Sequence, residues 1–170
     1  MTKYIALLRA VNVGGTGKLP MSDLKAICAD AGCSKVQTYI ASGNVVFACN
    51  ASAGKVKSAL EARLRAYAGK PIGVVVRTAA EMAAVLRANP FPKAAPERTV
   101  AIFLDAAPPA DALVRATGVK DEQMRLGRRE IFVHYPAGIG KSRLNIPAAK
   151  AGTARNMNTV ARLVEMAANL

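Results

Sequence analysis

In the first 77 residues, short apolar runs and amphipathic stretches alternate in an order that leaves little topological freedom. Residues 3–9 read as a buried strand, followed by a polar loop over residues 12–20. Leu24, Ile27, Cys28 and Ala31 then fall at i, i+3, i+4 and i+7, the spacing of one helix face, and Gly32 closes that helix as its C′ glycine. Two short strands, 36–40 and 45–48, flank Ala41-Ser42-Gly43-Asn44. Gly and Asn tolerate positive φ, so this connection is a tight hairpin. A second helix spans about 53–68, with Val56, Ala59, Leu60, Leu64 and Tyr67 on one face and Lys55, Lys57, Arg63 and Arg65 on the other. A strand at 72–76 completes the order β-α-β-β-α-β, which is the ferredoxin-like split βαβ.

The pattern then begins again. Thr78-Ala79-Ala80-Glu81 forms a capping box that opens a helix, which stops at the loop Asn89-Pro90-Phe91-Pro92. A strand is expected over 100–104, then a turn at Pro108-Pro109 and a helix through about Thr117. Strands near 123–126 and 131–134 follow, joined by a hairpin at Gly127-Arg128-Arg129. A glycine-rich loop over 136–140 leads to a short helical piece from Lys141 and a final helix over about 156–168, with Val160, Leu163, Val164 and Ala167 on its apolar face. The expected fold class is α+β, with two consecutive ferredoxin-like halves, antiparallel sheets and a C-terminal helix. Residues 1–77 form the first half, 78–98 a connecting helix and Pro-rich loop, and 99–170 the second half. No convincing residue-level repeat relates the two.

Topology turns this order into a geometric expectation. In a 4-1-3-2 sheet the first strand is antiparallel to the third, so its end lies beside the third strand's beginning. Arg9, Asn12, Gly14 and Gly15 are therefore expected at the same sheet edge as Ser42, Gly43 and Asn44. A strand that is buried on one side and opens into a glycine-rich turn on the other is a common place for a ligand site. The same side chains also serve as turn chemistry, since Asn and Ser satisfy nearby backbone groups. Arg9 can hold an anion there, or pair with an internal carboxylate such as Asp23.

Charge bears on the choice. The chain carries 24 Lys+Arg against 11 Asp+Glu, a formal net charge of +13. The excess lies mainly in residues 51–77 and 120–162, within folded segments, while 78–119 is balanced. A folded basic surface suggests an anionic partner such as a nucleotide or nucleic acid. The apolar runs are far shorter than a bilayer-spanning helix requires. The N-terminus moves straight into a strand without a secretory pattern, so a cytoplasmic protein without membrane association is expected. Cys28, Cys33 and Cys49 include no CxxC pair, and His134 is the single histidine. Reduced structural thiols are expected, with no metal site and no cofactor.

Two further stretches carry candidate chemistry. Arg155, in Thr153-Ala154-Arg155-Asn156-Met157-Asn158-Thr159, is read at the start of the last helix, where a cation opposes the positive end of the helix dipole. An anion between Arg155 and the free helix amides would relieve the mismatch, with Asn156 and Asn158 beside it. Alternatively, Thr153 or Asn156 caps the helix and Arg155 points outward to an acidic neighbour. Gly138-Ile139-Gly140-Lys141-Ser142 has the setting of a phosphate loop, but Tyr135 stands where that motif needs glycine, so nucleoside-triphosphatase chemistry is not expected. Lys141 and Ser142 can still contribute to a phosphate-binding surface, or form a basic turn with a Ser cap. His134 reads as an ordinary strand side chain. The carboxylates are scattered, which argues against glycosidase or two-metal chemistry.

Leu7-Leu8-Arg9, Asn12-Val13-Gly14-Gly15, Met21, Leu24, Thr38-Tyr39-Ile40 and Ser42-Gly43-Asn44-Val45-Val46-Phe47 together resemble a bacterial family, domain of unknown function 1697. Asn89-Pro90-Phe91-Pro92, Arg155-Asn156 and Asn158-Thr159-Val160 extend the likeness over nearly the whole chain. The sequence departs from it at Ala10, Ala41 and Met157, where the family usually has Gly, Gln and Trp. The resemblance implies two ferredoxin-like halves and no particular activity. The leading functional expectation is a phosphate-bearing ligand, a nucleotide or nucleic-acid backbone, held by Arg9, Asn12, Asn44, Lys141 and Arg155. Two alternatives stand beside it: an enzyme with its pocket at the Asn12/Asn44 corner, and a non-catalytic assembly module. The oligomeric state stays open.

Overall fold

The computed structural model of the chain describes residues 1–11 and 18–170. Of the candidate site residues, Asn12, Gly14 and Gly15 lie outside the described residues. The first half consists of β1 (Thr2–Leu8), α1 (Met21–Asp30), β2 (Ser34–Tyr39), β3 (Asn44–Cys49), α2 (Ala53–Ala68) and β4 (Val74–Thr78). Its sheet has the order β2-β3-β1-β4 with every pair antiparallel, as the ferredoxin-like order requires. Tyr4, Ala6, Leu8, Val45, Phe47, Val74 and Val76 project from one face onto Leu24, Ile27 and Cys28 of α1 and Val56, Leu60 and Leu64 of α2. Burying a side chain of this size contributes roughly 1.5–3 kcal/mol, so this layer carries much of the first half's stability. Ile5, Leu7, Val46 and Val75 on the opposite face are buried as well. Burial on both faces explains why β1 and β3 read as continuous apolar runs instead of alternating.

The helix ends follow from local chemistry. Ser52 Oγ accepts the Lys55 amide hydrogen bond at the start of α2, and Gly69 at φ +71° ends it. Gly32 takes φ +88° just past α1. Tyr67, expected on the apolar face of α2, is instead 47% exposed, and its hydroxyl donates to Asp23 Oδ2 at 2.6 Å.

In the second half, α3 (Ala79–Arg87) precedes β5 (Thr99–Phe103), β6 (Gln123–Leu126), β7 (Glu130–His134), β8 (Thr153–Asn156) and α4 (Met157–Ala168). The sheet order β6-β7-β5-β8 repeats the first sheet's order, again with antiparallel pairs. Thus the protein is a mixed α+β molecule with two four-stranded antiparallel sheets and a C-terminal helix. In each sheet the fourth strand runs directly into a capped helix. Thr78 and Glu81 cap α3 reciprocally, at 2.9 and 3.1 Å. Asn156 Oδ1 accepts the Thr159 amide at 2.9 Å on α4.

Three expectations change here. The helix expected up to Thr117 is a run of turns, with Ala112 N–H bonded to Pro109 O and Arg115 N–H to Asp111 O. Pro108 and Pro109 supply no amide donors, and too few residues remain before the β-bridge at Thr117 to propagate a helix. The helical piece from Lys141 is a single 3-10 turn, Ile139–Lys141, with another at Pro147–Ala151. Finally, Thr153 to Asn156 form a strand paired with β5 and are not the first turn of the last helix. Where α1 and α2 cover the first sheet, Leu113, Ala116, Leu144, Ala148 and Ala149 from these turns pack onto Val100, Ile102, Ile131 and Val133 of the second.

The chain divides into two compact units, residues 1–82 with 163–170, and residues 83–162. Among the described residues, no helix is long and apolar enough to cross a membrane.

Candidate functional site

The end of β1 is held from both sides. Leu7 pairs with Asn44 on β3, and the next amide, Leu8 N–H, donates to Gly43 O at 2.9 Å. On the other side, Arg9 N–H donates to Gly73 O at 2.9 Å, where the chain enters β4. Both neighbours are glycine for a steric reason. A Cβ on Gly43 (φ +87°) would lie 2.6 Å from Val11 Cγ2 and 2.9 Å from Leu8 Cβ. One on Gly73 would lie 3.1 Å from Arg9 Cδ, so the missing side chain gives the arginine stem its seat. The β1 end and the Ser42–Asn44 hairpin are therefore neighbours among the described residues.

Within this corner the Asn44 side chain is fully buried, and its amide nitrogen donates to Tyr39 O and Ser42 Oγ, both at 2.9 Å. Those are the bonds that close the β2–β3 hairpin. Ile40, at φ +47°, makes the bend. Asn44 acts here through its turn, with its amide committed inward.

A cleft of about 700 Å³ opens on the β4 side of the same strand end. Arg9, Lys18 and Lys70 line it with Tyr67, Ile72 and Gly73, and no carboxylate is among the described lining residues. Ala10, at its lip, adopts φ +50°, which L side chains rarely take. A polar clamp fixes the wall: Lys57 Nζ donates to Val74 O at 2.7 Å and to Glu61 Oε2 at 2.8 Å, and Glu61 accepts the Val74 amide at 3.0 Å. Asp23, accepting from Tyr67, raises that phenol's pKa, through the hydrogen bond first and through burial and charge after it.

Lys141 and Ser142 belong to a different cleft, in the second unit, of about 420 Å³, lined also by Lys120, Glu122, Tyr135 and Arg143. The Ser142 hydroxyl donates to Glu122 Oε2. Glu122 Oε1 accepts the amides of Lys120 and Asp121 at 2.8 and 3.0 Å. These donors, the serine hydroxyl foremost, hold the carboxyl down at about 2. A carboxylate so weakly basic is a poor proton acceptor, and its bonds instead tie the two loops together. Gly118 completes the tie, because a Cβ there would lie 2.1 Å from Arg143 O. The Glu122 charge and burial also push the Tyr135 hydroxyl upward, burial being the larger cause.

Arg155 stands on β8 opposite Ala101, nearly buried, with Nη1 donating to Thr153 Oγ1 at 2.7 Å and Ala154 O at 2.9 Å. Burial lowers its pKa to about 10. The dipole conflict expected for it does not arise, since the strand ends and Asn156 caps before α4 begins. Asn158 is exposed in the first turn of α4. Of the sequence candidates, Arg9, Ser42, Gly43 and Asn44 thus share one corner, Lys141 and Ser142 another, and Arg155 lies within a sheet. Lys18, Lys70 and Gly73 are not among those candidates. The 4-1-3-2 order that places Gly43 beside β1 also places the start of β4 on its other flank, and that signal locates Gly73 and Lys70.

Among the described residues, no group of three or more His, Cys, Asp or Glu side chains is placed to hold a metal ion. A family model described as "Protein of unknown function (DUF1697)" matches residues 1–132. The solved structure of the conserved bacterial protein SP0830 from Streptococcus pneumoniae is similar along 99% of each chain, with 24% identity and a TM-score of 0.81. That likeness speaks to the fold. Comparison with curated proteins gives no match.

Proposed function

We propose, for a chain that belongs to the DUF1697 family of proteins of unknown function, that it binds a phosphate-bearing ligand, a nucleotide or nucleic-acid backbone, in the cleft at the end of β1. The observation that carries this reading is the lining itself: Arg9, Lys18 and Lys70 share one cleft of about 700 Å³. An anion seated in one concavity lined by three cations gains attraction from each of them. Arg9 supplies a planar fork suited to two phosphate oxygens, and the two lysines add point charges. The volume is that of a small-molecule site, and Ile72, Pro71 and Leu19 offer apolar surface beside the charges. The net charge of +13 favours encounter with any polyanion.

The test is binding by calorimetry and thermal shift with inorganic phosphate, mononucleotides and a short oligonucleotide at two salt concentrations. The expected result is saturable, salt-sensitive binding that Arg9→Ala weakens about tenfold or more, the loss of one charge-assisted pair. Lys70→Ala should weaken it less, because an ammonium makes no bidentate pair. A preference for the oligonucleotide over the mononucleotide would assign the ligand as a nucleic-acid backbone.

A further inference from the structure

We infer that Cys33 and Cys49 form a redox site, two thiols that a small oxidant converts reversibly into a disulfide. Ser34 pairs with Ala48 at the end of the β2–β3 ladder, and continuing that antiparallel register by one residue sets Cys33, just before β2, against Cys49, the last residue of β3. The Cys49 thiol lies near enough to raise the proton affinity of Cys33, and Cys49 Sγ donates to Gly32 O, next in the chain to Cys33, at 3.9 Å. Opposed residues of an antiparallel pair have Cα atoms about 4.5–5.5 Å apart, inside the range that a disulfide bridges, so this register places the two thiols within reach of a bridge. All three cysteines are unbridged. Cys33 and Cys49 retain 8% and 5% exposure, whereas Cys28 has none. Gly32, whose carbonyl the Cys49 thiol meets, has open space around its missing side chain.

The step balances with a peroxide as oxidant. The Cys33 thiolate attacks one peroxide oxygen, the O–O bond breaks, and the leaving oxygen takes a proton as water or alcohol. Cys33 becomes a sulfenic acid. Cys49 sulfur then attacks that sulfur, the S–S bond forms, and the S–O bond breaks. The hydroxide leaves with the Cys49 proton as water. Two electrons pass from the thiol pair to the peroxide. Burial and the neighbouring sulfur push the Cys33 thiol up to about 12, so the thiolate is scarce at neutral pH and the reaction is slow there. Its rate rises about tenfold per pH unit well below that value. The site therefore responds to sustained oxidant exposure and not to brief pulses.

The experiment exposes the full chain to hydrogen peroxide, and separately to diamide, at pH 7, 8 and 9, and reads intact mass, disulfide-mapped peptides and thermal stability. The expected product is 2 Da lighter, carries a Cys33–Cys49 peptide pair, reverts with dithiothreitol and forms faster at each higher pH. It should melt about 6–12 °C higher, because the bridge closes a loop of about 15 residues in the unfolded chain. Cys28→Ser should leave the product unchanged, while Cys33→Ser and Cys49→Ser should each abolish it. A bridge involving Cys28 would overturn the assignment. So would stepwise addition of oxygen without a 2 Da loss in folded protein at pH 9.

Discussion

Gly43 is the point at which the first unit's corner is tightest, and it shows how one residue sets the geometry of a site. Its φ of +87° and the two contacts shorter than 3.0 Å that any Cβ would make leave room for no side chain. Gly43→Ala should therefore cost about 2 kcal/mol or more in urea unfolding, from backbone strain and overpacking together. Asn44 beside it is committed to two inward hydrogen bonds. Asn44→Ala should destabilise by about 2–3 kcal/mol, because the Tyr39 carbonyl and the Ser42 hydroxyl lose a buried partner. An enzyme with Asn44 in its chemistry would instead keep its stability on this change. Glu122 makes a different residue-scale prediction. Its carboxyl sits at about 2 in the fold against an ordinary value of 4.5, so it stabilises the fold above about pH 4.5 and loses that contribution as the pH falls toward 2. Glu122→Gln should flatten the acid limb of the stability curve in that window, measured by the urea midpoint against pH, and Ser142→Ala should flatten it partway.

At the scale of elements, legibility depends on whether the signal is local. The Ser42–Asn44 hairpin, the Thr78–Glu81 capping box and the glycine ends of α1 and α2 are readable because each is side-chain chemistry acting within a few residues. Thr78→Ala should cost about 1 kcal/mol, as loss of a helix cap does, with little change in m-value. Elements whose form depends on distant neighbours are not readable in this way. Residues 110–116 have a helix-like apolar spacing in Leu113 and Ala116, but the proline pair before them and the Thr117–Asn145 bridge after them leave a turn. Arg155 shows the same limit. Read as the first turn of a helix it conflicts with the dipole, and read as a strand residue beside Ala101 it does not. The distinction needs β5, which lies some 50 residues earlier. Lys70 and Gly73 enter the candidate cleft through the pairing of β4 with β1, a signal that the element order carries and that local residue chemistry does not.

At the scale of the whole molecule, the two halves share a strand order while sharing little of their cover. The first sheet is covered by regular helices with Leu and Val stripes, the second by turns that contribute Leu113, Leu144 and alanines. The second half expresses the same topology with turns in place of the two covering helices, and its sequence accordingly shows no repeat of the first. The functional account rests on the first half, where the strand end, two glycines and the clamp of Lys57 with Glu61 hold three cations around one cleft. Its most direct test is calorimetric titration of the full chain with a mononucleotide and a short oligonucleotide at low salt, repeated with Arg9→Ala. The account predicts saturable binding to the unmodified chain that weakens with salt and falls about tenfold or more in the variant. Absence of saturable binding to both ligands, or equal binding by the correctly folded variant, would contradict it.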